Sequence, residues 1–256
     1  MNRLQWIVVV SSLLLFVLLY FVFDTKTDEQ QQIEETRFQS LQSTDVSILI
    51  RDARAALEVE QLNAVRILEQ EIEISENDST KVDAYKELSG LWYRLDNAAI
   101  AGHYAEEIAK VEDTEQAWSI TGTTYAICVQ RADTDKVKQF CTDKAFQAFE
   151  SATSINPDNV QHKVNLALVY LETQNPMAGI QMLRNLNQQY PKNVLVLMTL
   201  GRQAMRTNQL ERASERFTKV LEIDSDNKEA ACALAEIYSK LQRQLEAKQY
   251  INICEQ

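Results

Sequence analysis

Two prolines set the frame for this chain. Pro157 and Pro191 stand 34 residues apart, and each follows an amphipathic segment and precedes an Asn: Asn156-Pro157-Asp158-Asn159 and Tyr190-Pro191-Lys192-Asn193. A fixed period of roughly 20–50 residues marks a repeat architecture, in which each unit buries its apolar face only against its neighbours. The repeating unit must be helical, because the 256 residues include 5 Gly and 3 Pro. A sandwich, a barrel or an α/β fold needs turn formers at almost every change of direction. With 45% hydrophobic and 25% charged residues, wholesale disorder is excluded. The fold class is all-α.

Numbering each repeat so that its closing Pro falls at position 32 brings five segments into phase. The first holds Tyr85, Leu88, Ser89, Trp92 and Ala101 at positions 4, 7, 8, 11 and 20. The second holds Trp118, Gly122 and Tyr125, then, after an insertion, Ala145, Phe149, Ala152 and Pro157. The third holds Leu166, Ala167, Tyr170, Gly179, Leu183 and Leu186; the fourth Leu197, Leu200, Gly201, Ala204, Ala213, Phe217 and Val220. The fifth holds Ala231, Leu234, Ala235, Tyr238, Ala247 and Ile251. Small residues at 8, 20 and 27 let two helices approach closely, and bulky ones at 4, 7, 11 and 24 fill the spaces between them.

This phase resembles the tetratricopeptide repeat. The resemblance covers residues 81–256, about five repeats, and implies an α-solenoid of antiparallel helix pairs. Two positions depart from the pattern: Ala204 replaces the aromatic at 11 and Leu183 the aromatic at 24. Gly122, Gly179 and Gly201 fall at close-packing positions and in no phosphate-binding motif.

Ahead of the array, Leu4–Phe23 is a run without a charge. At ~1.5 Å per residue it is as long as a bilayer's hydrocarbon core is thick. A cleavable signal peptide would have a shorter apolar run and small residues before the cleavage site, so the reading is an uncleaved transmembrane helix. Residues 1–23 are thus a cytoplasmic stub and a single transmembrane helix, 24–43 a polar linker or stalk, and 44–80 a helical hairpin packing on the array. Arg3 precedes the run and Asp24, Asp28 and Glu29 follow it. The positive side stays cytoplasmic. The expectation is a single-pass inner (plasma) membrane protein whose repeat domain is periplasmic or otherwise extracytoplasmic.

The four cysteines, Cys128, Cys141, Cys232 and Cys254, match no zinc spacing. An oxidising compartment favours disulfides, and four small buried side chains are the alternative. The repeat register separates these. Tyr125 to Ala145 exceeds Tyr170 to Gly179 by 11 residues, about three helical turns, so the insertion lengthens both helices of one hairpin around a turn near Asp133-Thr134-Asp135. Cys128 and Cys141 then lie opposite each other across it. Cys232 and Cys254 do the same across the fifth hairpin. Disulfides Cys128–Cys141 and Cys232–Cys254 are expected.

The resemblance also implies a peptide-binding concave face, lined by positions 2, 5, 9 and 12 of each first helix. Those positions hold Gln161, Val164, Leu168 and Leu171 in repeat three and Leu195, Met198, Arg202 and Met205 in repeat four, with Asn165 alongside. The partner-binding set is Val164, Asn165, Leu168, Leu171, Leu195, Met198, Arg202 and Met205. Asn165 would bond a bound backbone, and Arg202 a carboxylate or carbonyl. A packed neighbour, or another part of this chain filling the groove, is the alternative. The family's clamp for C-terminal carboxylates is not reproduced: the corresponding positions hold Ser119, Thr123, Asn165, Leu195 and Thr199.

A net charge of −11 without a basic stripe argues against nucleic acid. No catalytic motif appears. His103, Glu106 and Glu107 share a helix face that reads as solvated, and His162 reads as lying near an exposed edge. No enzyme activity and no cofactor are expected. The combination of anchor, stalk and acidic array resembles bacterial membrane-anchored envelope tetratricopeptide proteins. That resemblance implies a tethered binding scaffold for a protein or peptide partner, in secretion or envelope assembly. A structural subunit of a larger inner-membrane complex, contacted mainly through its transmembrane helix, is the other reading.

Overall fold

The computed structural model describes Trp6 and residues 45–255. Trp6 is helical and exposed. Otherwise the expected transmembrane helix and the stalk over 24–43 lie outside the described residues. No described helix is long and apolar enough to cross a membrane.

From residue 45 the chain is helical throughout: α1 (Val46–Ala55), α2 (Val59–Ile74), α3 (Asp78–Arg94), α4 (Ala98–Glu112), α5 (Glu115–Arg131), α6 (Asp135–Ile155), α7 (Val160–Leu171), α8 (Pro176–Gln189), α9 (Val194–Arg206), α10 (Leu210–Ile223), α11 (Lys228–Lys240) and α12 (Gln244–Glu255). Helices α3/α4, α5/α6, α7/α8, α9/α10 and α11/α12 pair as hairpins, and each hairpin stacks on the next. Ahead of them, α2 packs on α3 and α1 on α4. The helical-hairpin array that the 34-residue period implied is therefore the architecture of residues 78–255.

Local chemistry explains where the helices begin and end. Asn159, Asn193 and Asn227 recur at one repeat position, and their carboxamides accept from Gln161 N, Val196 N and Ala230 N to cap α7, α9 and α11. Pro176 opens α8, where its missing N–H costs nothing. With so few glycines, the left-handed residues that end first helices are Asp96, Asn208 and Gln242 (φ 58°, 56° and 60°). The short polar side chains of Asp96 and Asn208 tolerate that conformation better than branched ones.

Glycine is kept where helices touch. A Cβ on Gly201 would lie 2.7 Å from the Phe217 ring, and one on Gly122 would lie 2.7 Å from the Phe149 ring. Each ring can thus lie directly on the backbone of its partner helix. The core that results is a chain of local clusters rather than one centre: Val65, Leu88 and Trp92 near the start, Tyr125 and Phe149 in the long hairpin, Val164 and Leu183 next, then Leu197, Phe217 and Leu234.

The insertion in repeat two does what its length requires. Helices α5 and α6 have 17 and 21 residues, against 12 and 14 for α7 and α8. The break falls at Ala132-Asp133-Thr134, and the Thr134 hydroxyl accepts from Val137 N to cap α6. Cys128 and Cys141 sit at disulfide-bonding distance across this hairpin with Cα atoms 5.9 Å apart, and Cys232 and Cys254 do so across α11/α12 at 4.8 Å. Both separations suit an S–S bridge.

Candidate functional site

The face predicted to bind a partner lies on α7 and α9. Two of its members are not on a surface. Val164 is 0% exposed and Met198 4% exposed. Val164 belongs to the cluster shared with Leu183 and Val196, and Met198 to the one shared with Phe217 and Leu234. The physical reason is that first helices also touch each other: α7 contacts both α5 and α9. Position 5 is consumed by that packing and cannot also meet a ligand.

Leu168, Leu171, Leu195 and Met205 are half-buried, packed against the core on one side. The Asn165 carboxamide accepts from Gln161 Nε2 at 2.9 Å. Arg202 already has a carboxylate, because its guanidinium donates to Glu229 on α11. Arg206 reaches Glu172 at 3.3 Å. What these residues present together is a half-buried apolar strip beside ion pairs that link successive first helices.

Three carboxylates organise the first half of the array; of these the sequence singles out only Glu106, and as part of a solvated face. Glu69 on α2 accepts from Tyr104 Oη at 2.9 Å and pairs with Arg54. Glu106 on α4 is 8% exposed and accepts from Tyr125 Oη (3.0 Å) and from Lys144 Nζ (2.9 Å). Lys110 Nζ adds a third partner at 3.1 Å. Burial pushes the Glu106 pKa up, but the hydrogen bonds and charges of Lys144 and Lys110 outweigh it, so the net shift is downward. Burial and the nearby Glu106 charge hold the Tyr125 hydroxyl well above the usual phenol range. Glu106 is therefore a buried junction of α4, α5 and α6, not part of a solvated face.

Glu115, at the start of α5, accepts from Asn156 Nδ2 at 2.8 Å and from Asn159 Nδ2, with His162 Nε2 2.6 Å away. The hydrogen bonds from Asn156, Asn159 and His162 lower its pKa to about 2. His162 is 2% exposed, which corrects its placement near an exposed edge. It is a strut between repeats two and three. His103 is half-buried beside Tyr104, their rings 5.1 Å apart, and burial lowers its pKa. Among the described residues no cluster of three or more metal-ligating side chains occurs. Nothing in the spacing pointed to Glu69 or Glu115, and the spacing of Glu106 with His103 and Glu107 suggested only a solvated face, because carboxylates occur on every face of an acidic helical chain. Only the three-dimensional meeting of tyrosine, lysine and asparagine around them marks them out.

No family model matches the sequence, and no curated protein matches it. Among solved structures the chain is similar to MamA, residues 41 to the end, from Desulfovibrio magneticus RS-1. That pair is 16% identical, with 71% of this chain and 96% of that chain covered and a TM-score of 0.45. A further MamA crystal structure is 13% identical, covering 68% and 89% at a TM-score of 0.44. MamA AMB-1 is 18% identical, covering 70% and 92% at 0.40.

Proposed function

We propose that the chain is a membrane-tethered scaffold whose helical array holds a segment of a partner protein along α7 and α9. One observation carries the reading. Leu168, Leu171, Leu195 and Met205 remain half-buried on two successive first helices although the core beneath them is closed. Apolar side chains left in a row on a rigid face suit an apolar or amphipathic segment. Arg202 and Arg206 border the row and can exchange Glu229 and Glu172 for partner groups. The uncharged run Leu4–Phe23 supports the tether. Two cysteine pairs at bonding distance support an oxidising, extracytoplasmic home for the array.

Substitution of a half-buried strip residue tests this. Full-length Leu168→Glu, purified from its native membrane in mild detergent, should recover the wild-type partner roughly tenfold less. Its far-UV circular dichroism should match the wild type. Undiminished partner recovery would overturn the reading. Replacing Leu4–Phe23 with an unrelated anchor separates a scaffold, which keeps its partner, from a subunit assembled through the membrane helix, which loses it.

A further inference from the structure

Position 11 is where each repeat keys into the one before it. Tyr170 of α7 lies over Phe146 of α6, ring centroids 4.4 Å apart. Tyr125 of α5 lies directly over Gly102 of α4 and bonds Glu106 on the same helix. Trp92 of α3 is buried in the cluster that holds Val65 of α2. Tyr238 of α11 packs on the cluster that includes Phe217 and Val220 of α10. In α9 the residue at position 11 is Ala204, so a methyl group stands where the other repeats place a ring. Accordingly, α8 and α9 meet more sparingly than any other successive helices from α2 onward.

The missing ring leaves an open groove of about 440 Å³ between α8, α9 and α10. Ile180, Leu200 and Ala204 supply its apolar lining, and Met177, 63% exposed, adds to it. Arg184, Arg212 and Arg216 also line it, and no carboxylate does. None of these arginines forms an ion pair among the described residues. Arg212 donates to Gln209 Oε1 instead, at 2.8 Å. Three arginines without carboxylate partners, around an apolar slot, stand out in a chain of net charge −11.

We propose that this groove docks an acidic segment of a partner protein, which inserts an aromatic ring into the place Ala204 leaves and sets its carboxylates on Arg184, Arg212 and Arg216. The ring restores the packing that position 11 supplies in the other repeats. Guanidinium groups bind carboxylates in bidentate geometry and also stack on ring faces. A free anion would use the arginines and leave the apolar lining wet, and an apolar segment would use the lining and leave three charges unpaired. Only a segment with both features matches both. The groove is formed by α8, α9 and α10 and is independent of the strip at Leu168 and Leu171.

Fluorescence anisotropy on the full-length chain tests the assignment, with the labelled peptide Glu-Asp-Glu-Phe-Asp-Glu as probe. The same peptide with Ala for Phe is the control. The Phe peptide should bind roughly tenfold or more tighter than the Ala peptide, and more weakly as salt rises. Ala204→Phe fills the slot from within and should weaken Phe-peptide binding roughly tenfold while melting no earlier than wild type. The combined Arg184→Gln, Arg212→Gln and Arg216→Gln variant removes no core side chain, so it reads out even where Ala204→Phe fails to fold. It should lose binding and its salt dependence together. Equal binding of the two peptides, full binding by either variant, or no binding to the wild type at about 1 mM overturns the proposal. Leu168→Glu should bind the peptide normally, which keeps this result distinct from that for the α7–α9 strip.

Discussion

From α1 to α7 the repeats are joined through carboxylates that each collect several hydrogen bonds, whereas from α7 to α12 they are joined by apolar side chains and single ion pairs. Glu69, Glu106 and Glu115 each gather hydrogen bonds from two or three other elements. Their counterparts further along, Arg202–Glu229 and Arg206–Glu172, are single ion pairs, the first of them exposed on both sides. The spacing of first helices differs in the same way. Starts at Asp78, Glu115 and Val160 are irregular, while those at Val160, Val194 and Lys228 keep a strict 34-residue step. A regular period lets one packing pattern repeat: a small residue at position 8 and a bulky one at position 24 recur as Ala167 and Leu183, Gly201 and Phe217, and Ala235 and Ile251. Where the period is broken by an insertion, each junction needs its own register, and directional hydrogen bonds in buried or partly buried sites supply it.

The sharpest way to break this contrast is to remove one junction from each half. Glu106→Ala leaves Lys144 and the Tyr125 hydroxyl without their acceptor in a site that is 8% exposed. Leaving a buried phenol and a 30% exposed ammonium without their acceptor costs about 3 kcal/mol. Arg202→Ala breaks a pair whose side chains are 47% and 60% exposed, and should cost less than about 1 kcal/mol. Urea unfolding of the two variants measures both. Equal losses would mean that the halves are held together in the same way.

Next in size is the disulfide of the long hairpin. Cys128 and Cys141 are 4% and 0% exposed inside the Tyr125–Phe149 cluster, whereas Cys232 and Cys254 are half-buried at the last hairpin. Closing a loop of this length stabilises by about 3 kcal/mol in the chain-entropy model. A Cys128→Ala, Cys141→Ala double variant should therefore lower unfolding stability by about that amount. Mild reductant should open Cys232–Cys254 first, because its sulfurs are the more accessible. Mass spectrometry after graded reduction and alkylation orders the two. Four free thiols in protein taken from its native compartment would contradict both pairs.

These pairs also show what could be read in the residues before any coordinates. The 34-residue period located the hairpins because it is written in volumes: glycine or alanine where backbones meet, rings where they part. The 11 extra residues of repeat two were interpretable because helical length is quantised by turns, and the cysteines followed from that register. The face on α7 and α9 was half legible. Helical phase assigns Val164 and Met198 to the inner side of their helices, but whether that side meets solvent depends on how closely α7 approaches α5 and α9. Glu106 and His162 were misplaced for a related reason. A polar residue's burial depends on partners far away in sequence, such as Lys144 for Glu106 and Glu115 for His162.

The finest distinction between the halves is one of pH. Glu115 has its pKa lowered to about 2 by hydrogen bonds from Asn156, Asn159 and His162, against an unfolded value near 4.3. A carboxylate whose folded pKa is depressed stabilises the fold fully above the unfolded pKa. That contribution is lost as pH falls through the window down to the folded value. Glu115→Gln cannot titrate, so the variant should lose stability less steeply than wild type between about pH 4.3 and pH 2, while starting from a lower plateau at neutral pH. Thermal melts across that window measure the slope. If Glu115→Gln leaves the acid limb as steep as in the wild type, the Glu115 junction adds nothing to the acid dependence of the fold. The irregular half would then owe its register to packing, as the regular half does.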